Sequence, residues 1–149
     1  MHPLAPRRGD RGFTFIDVLC GVAVAAVLCS LAVPSYRQAV LNSRRSDGVA
    51  ALLALHLAQE RHHAQHGRYG SLDALGLPGR SPAGHYRLAQ PVADATRFEA
   101  HALADGAQAQ DTPCRRLALA VEGARVEQSS ARDDDTWNGE AANRRCWRR

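Results

Sequence analysis

The chain has no lysine: all 19 of its basic residues other than histidine are arginine. We read this as a high-GC coding bias rather than a binding site. Aromatic residues are scarce, with 3 Phe, 3 Tyr and 2 Trp, so any core must be built mostly from Leu, Val and Ala. Charge of one sign is also lacking. The formal net charge is only +4, and half of it comes from Arg7, Arg8 and Arg11 set against Asp10. That weakens any nucleic-acid argument built on isoelectric point alone. No Ser or Thr stands with a His and an acid at a telling spacing, and no glycine loop could cradle a phosphate. The chain therefore reads as structural and not as an enzyme, and no cofactor is implied.

What is present is one long apolar run. From Phe13 to Val33 the only charged residue is Asp17, and Pro34 follows. About 20 apolar residues in a helix match the hydrocarbon thickness of a bilayer. A carboxylate inside such a span costs roughly 2.5–3.5 kcal/mol even on the lenient insertion scales. A secretory signal is one reading, since Ser30-Leu31-Ala32 fits a small-x-small cleavage site. A plain signal anchor is another. The run is longer than an ordinary signal core, and neither reading gives Asp17 a purpose. In every case the basic leader, residues 1–12, stays on the cytoplasmic side and the remainder is exported.

Gly12, then Phe13-Thr14-Phe15-Ile16-Asp17, then an apolar helix, then Val33-Pro34-Ser35-Tyr36, resembles the N-terminus of a type IV prepilin. The resemblance implies that a prepilin peptidase cuts after Gly12 and that the new terminal Phe13 is N-methylated. Asp17 then occupies the acidic fifth position and Pro34 the position of a helix kink. The departure is Asp where the family usually has Glu. The resemblance is dense over residues 12–36 and loose beyond. It implies an α+β fold: a long N-terminal helix, half in the membrane and half amphipathic, packed on a small antiparallel sheet.

The domain plan follows. Residues 1–12 are the leader, 13–35 the transmembrane and assembly helix, and 36–149 the globular domain. Within that domain we expect a helix over 36–66. Val49, Leu52, Leu53, His56 and Leu57 form an apolar stripe at helical spacing. Arg44, Arg45, Asp47, Gln59, Glu60 and Arg61 are expected to face solvent or neighbouring subunits. Gly67 is a C-cap candidate. Glycines and prolines punctuate a loop over 67–84, in which Ser71 could cap a short turn. The resemblance makes this the αβ loop. A sheet is expected over 85–127, with strands at His85–Ala89, Arg97–Leu103, Arg116–Val121 and Gly123–Glu127. Cys114 and Cys146 bracket the last segment. They resemble the disulfide-bounded C-terminal region of type IV pilins, and an exported domain can keep such a bond. Cys20 and Cys29, inside the apolar run, read as packing residues.

Other features are weighed and set aside. His62 and His66 are four apart and could share a cation, but no further ligand is spaced to complete a set, so no metal is expected. Asp133-Asp134-Asp135 lacks the alternating spacing of a calcium loop and reads as a solvated turn. Arg144-Arg145-Cys146-Trp147-Arg148-Arg149 combines arginine with an aromatic, the chemistry of single-strand binding. A six-residue terminus reads better as a solvated tail.

The functional expectation is a structural subunit of a type IV pilus, a minor pilin, assembled through its N-terminal helix. A type II secretion pseudopilin and a DNA-binding competence pilin are the alternatives. The expected partners are other pilin subunits, the prepilin peptidase, the bacterial inner membrane before assembly and, in the competence reading, DNA. The expected location is the inner membrane with the C-terminal domain in the periplasm, then the extracellular pilus.

Overall fold

The computed structural model describes residues 14–133 and 136–148. The chain divides into two compact units between Arg37 and Gln38. One helix, α1 (Phe15–His66), supplies residues to both. In the N-terminal unit its large apolar side chains, from Phe15 and Ile16 through Val27 and Leu28 to Leu31 and Val33, are all exposed.

The C-terminal unit carries four strands: β1 (Tyr86–Ala93), β2 (Arg97–Ala104), β3 (Arg116–Glu122) and β4 (Arg125–Ala131). They pair antiparallel in sequence order. A short helix, α2 (Glu140–Trp147), follows. A long helix and a four-stranded antiparallel meander make this the α+β fold expected from the sequence. The core forms where the helical and strand periods meet. Val49, Leu52 and Leu55 lie three apart on α1, so they share one face. They cluster with Tyr86, with Phe98, Ala100 and Ala102 of β2, and with Leu117, Leu119 and Val121 of β3. Gly48 is required on the same face: a Cβ there would lie 2.9 Å from the Tyr86 ring. The β3–β4 connection is a two-residue turn, and Gly123 at its first position has φ +56°, where a glycine avoids the Cβ clash.

Several expectations are corrected. Arg45 does not face solvent. Its Nε donates to Asp111 Oδ2 at 2.6 Å and a terminal nitrogen donates to Oδ1 at 2.7 Å. Both residues are buried. Gln59 is also buried, because its amide group closes a pair of hydrogen bonds with the backbone of Gly70, at 2.6 and 2.9 Å. Asp47 turns inward to accept from Ser81 Oγ at 2.5 Å and from the amides of Ala83 and His85. Gln59 and Asp47 therefore both tie the loop over 67–84 to α1. In the apolar stripe Leu57 is exposed, and Leu55 holds the buried place instead.

The strands run further than the sequence pattern suggested. β1 passes through Pro91 with a shift of register between Ala89 and Val92. An edge strand tolerates this, since a proline there costs no interior ladder bond. β4 continues past Glu127 through Gln128, Ser129 and Ser130, each paired with β3. The C-terminal segment is not a free tail, although Arg144, Arg145 and Arg148 are exposed as expected. Residues 140–147 are helical, and Trp147 Nε1 donates to the Ser129 carbonyl at 2.9 Å.

The structure joins Cys114 to Cys146, with Cα atoms 5.6 Å apart. The bond ties α2 to the segment that leads into β3. One arginine adds a second tie, because Arg45 also donates to the Arg145 carbonyl at 3.2 Å.

Two stability outcomes are expected, both read by urea unfolding with the fluorescence of Trp137 and Trp147. Arg45→Ala strands the Asp111 carboxylate in the core and should lower stability by about 3–5 kcal/mol. Replacing both partners by apolar residues of similar volume should recover most of that loss. Removing the disulfide by Cys114→Ser/Cys146→Ser should cost roughly 3–4 kcal/mol on the chain-entropy account, with β-sheet content retained.

Candidate functional site

Two surfaces carry the chemistry, one in each unit. The first is the apolar half of α1. An 18-residue window of it has mean hydropathy 2.5, and none of that window is buried inside the chain. Its only charged position is Asp17. The side chain folds back on the helix start: the Thr14 amide donates to Asp17 Oδ2 at 2.9 Å and the Thr14 hydroxyl donates to the same oxygen at 2.7 Å. The Asp17 amide lies 3.3 Å from Thr14 Oγ1. This is a capping box, in which two otherwise unpartnered helix-end donors are satisfied reciprocally. The Thr-x-x-Asp spacing ahead of an apolar run is the signal that could have revealed it from sequence.

Gly12 and Phe13, the expected cleavage junction, lie outside the described residues. Pro34 lies inside α1. Cys20 and Cys29 are free and exposed. Ser30 returns its hydroxyl to the Val27 carbonyl at 2.7 Å, which satisfies it without a partner chain.

The second surface is a shallow groove of about 310 Å³ in the C-terminal unit, lined by Arg87, Leu103, Ala104, Arg115, Arg116, Arg132 and Asp133. Strand register explains it. Arg87, Leu103 and Arg116 face one another across β1, β2 and β3, so their side chains share one face of the sheet. Arg115 precedes β3 and Arg132 follows β4; both are exposed. Arg116 is buried at the base, its guanidinium 5.1 Å from the centre of the Trp137 ring, a cation–π distance. His101 packs its ring edge on the same indole, 6.2 Å away, and meets Glu99 at 2.6 Å. No local pattern announces this cluster, because its members are spread from Arg87 to Trp137.

The disulfide pair Cys114 and Cys146 is buried beside this region. Asp133 Oδ1 accepts from the Thr136 amide at 2.9 Å. Asp134, Asp135 and Arg149 lie outside the described residues. Among the described residues no three His, Cys, Asp or Glu side chains gather as a metal cluster. Elsewhere, Asp94 accepts from the amides of Thr96 and Arg97, which hold its carboxyl down at about 2. That marks a tight turn between β1 and β2 rather than a reactive acid.

Comparison with known proteins gives two findings. A family model described as type IV minor pilin ComP, DNA uptake sequence receptor, matches residues 34–118. The type IV major pilin protein PilA of Myxococcus xanthus is 29% identical over 87 residues, covering 57% of this chain. The chain spans about two-fifths of the length of that relative. The family match takes in the second half of α1, β1, β2 and the start of β3, more than half of the sequence, and on that basis the chain belongs to the type IV pilin family.

Proposed function

We propose that the chain is a minor subunit of a type IV pilus, cut after Gly12 by a prepilin peptidase and N-methylated at Phe13. It is then held in the inner membrane by the apolar half of α1, with its C-terminal domain in the periplasm. From there it is assembled with other pilin subunits through the same helix. The observation that carries this reading is the surface of that helix. Every large apolar side chain from Phe15 to Val33 is at least half exposed within the chain. Surface of that kind must be covered, first by lipid and then by neighbouring helices. In this reading Asp17 meets the amino terminus of a neighbouring subunit, and that cation offsets the cost of a carboxylate in an apolar surround.

The test uses three variants of Asp17. Asp17→Ala should still be inserted, cut and disulfide-bonded, yet enter filaments poorly beside wild type. Asp17→Glu should assemble at least as well as wild type. Asp17→Asn should resemble the Ala variant if the charge matters more than the hydrogen bond. Normal incorporation of Asp17→Ala, scored by immunoblot of sheared filaments, would overturn the role.

A second reading is DNA capture. Two observations favour it: the matching family is that of a DNA uptake sequence receptor, and Arg87, Arg115 and Arg132 line one groove with Arg116, which stacks on Trp137. Exposed guanidinium groups bind phosphate whatever the base sequence, and such binding weakens with salt. Arg115→Ala and Arg132→Ala should each weaken DNA binding and lower the slope of log affinity against log salt by about 1. Arg148→Ala, on the far side of α2 from this groove in the sequence order, serves as the comparison. Equal loss in all three variants would point to diffuse charge rather than to the groove.

A further inference from the structure

We propose that a cleft lined by Gln38 and Asn42 of α1 and by Arg145 and Arg148 at the end of α2 holds the phosphate of an anionic phospholipid headgroup at the membrane surface. The inference rests on the reading of the subunit as held in a bilayer by the apolar half of α1.

Two helix faces meet in this cleft of about 430 Å³, a volume within the range of small-ligand sites. Gln38 and Asn42 are four apart on α1. Arg145 and Cys146 stand three and four residues beyond Ala142 on α2, and Arg148 three beyond Arg145. Each set therefore shares one face of its helix. Pro113 and the buried Cys114–Cys146 bond line the apolar part of the cleft.

Its charges are unanswered. Arg145 and Arg148 are exposed, and among the described residues neither guanidinium has a partner. Arg144, on the same helix, is paired with Glu140. Arg45 also lines the cleft, but Asp111 neutralises it. No acid stands among the described lining residues. Gln38 Nε2 donates to Asn42 Oδ1 at 3.0 Å, which fixes the Asn42 amide and leaves its own hydrogens to give. A guanidinium fork matches the oxygens of a phosphate. The C-terminal end of α2 opposes an anion, so the attraction comes from the two arginine side chains.

Distance along the chain names the anion. Gln38 follows Val33, the end of the apolar run, by five residues. Five residues rise about 7.5 Å as helix and reach at most about 18 Å in any conformation. The headgroup layer begins where the hydrocarbon ends, and arginine stems can extend toward it. The chain that leaves the bilayer is also basic, since Arg37 and Arg44 precede the first acid, Asp47. Basic residues on the exported side run against the usual distribution, and anionic headgroups answer them.

The test is NMR of the Gln38 and Asn42 side-chain amides in the untagged full chain, held in uncharged maltoside micelles. Dihexanoyl phosphatidylglycerol should shift both signals saturably. Dihexanoyl phosphatidylcholine, whose phosphate carries its own cation, and inorganic phosphate should each bind several-fold more weakly. Arg145→Gln/Arg148→Gln should weaken the anionic lipid about tenfold or more, since each arginine near such a surface is worth about a factor of five. Arg144→Gln, which removes the same charge outside the cleft, should leave it unchanged. Micelles require neither cleavage nor assembly, so a wild-type chain that is never cut or assembled counts against the pilus reading alone. Equal affinity for phosphatidylcholine or inorganic phosphate, no loss in the double variant, an equal loss in Arg144→Gln, or tighter binding of a DNA duplex at the same signals would each overturn the site. A double variant that keeps the lipid but fails to enter filaments would give the cleft to a neighbouring subunit instead.

Discussion

The C-terminal unit depends on one buried pair, Arg45 with Asp111. Its two parallel hydrogen bonds, 2.6 and 2.7 Å, connect the middle of α1 to the segment between β2 and β3. The third arm of the guanidinium reaches the Arg145 carbonyl of α2. Gln108 extends the cluster, donating toward the Leu41 carbonyl, the Tyr86 hydroxyl and Asp111. A buried ion pair adds little net stability against an apolar replacement, because both charges lose their water. What it does impose is position. In α1 only Arg45 can place a guanidinium opposite Asp111, and three residues on Gly48 leaves the notch that the Tyr86 ring fills. A helix slid by one residue would strand the carboxylate and drive a side chain into the ring. Tyr86 is fully buried at this end of the core, and that burial, the largest influence on it, pushes its phenol up to about 12.

Part of this was legible in the sequence, and the division has a physical cause. The apolar run, the helix through His66 and the second and third strands were readable because each buries one face at a fixed period. The polar residues that lock the fold were not. An arginine or glutamine on a helix is solvent-facing by default, and only its partner says otherwise. Arg45 finds its partner 66 residues away and Asp47 finds Ser81 34 away. No local pattern encodes a match at that range. Gln59 was nearer, 11 residues from Gly70, but a side-chain amide on loop backbone has no periodic signal. The end of β4 failed for a related reason. Gln128, Ser129 and Ser130 pair because β3 beside them is buried, so context rather than β-propensity decided.

Charge was likewise misleading when read as a sum. A net charge of +4 suggested little attraction for a polyanion. The structure sorts charges locally instead. Arg80 pairs with Asp105, Arg97 with Asp94, Arg125 with Glu127 and Arg144 with Glu140. Most of these pairs lie away from the groove, but Asp105 also reaches Arg87 of its lining, at 3.7 Å. Arg87, Arg115 and Arg132 gather there with Asp133 as the lining acid. Field at a surface depends on this sorting and not on the total. Arg116 of its lining lies 5.1 Å from the ring of Trp137, which is 45% exposed and adds an aromatic surface to that guanidinium. That pairing of charge and aromatic surface is what the DNA reading rests on.

The two acids in apolar surroundings are answered differently, and the contrast bears on assembly. Asp111 meets a full positive charge within its own chain. Among the described residues Asp17 meets only the amide and hydroxyl of Thr14, which are neutral donors. They orient the carboxylate and satisfy part of its hydrogen bonding, but its charge remains to attract a cation. In the proposed role this is an advantage. A subunit waiting in the bilayer carries a carboxylate already turned toward the helix start, and a neighbour's ammonium group need only arrive. The shorter Asp sharpens the constraint. A Glu could reach outward to its partner, whereas Asp17 is held against Thr14 on its own first turn. The neighbour's terminus must therefore come closer to this helix than it would to one bearing the family's usual acid. Lengthening the side chain at this position relaxes that demand without changing the charge, which is why length and charge separate there as independent requirements on packing.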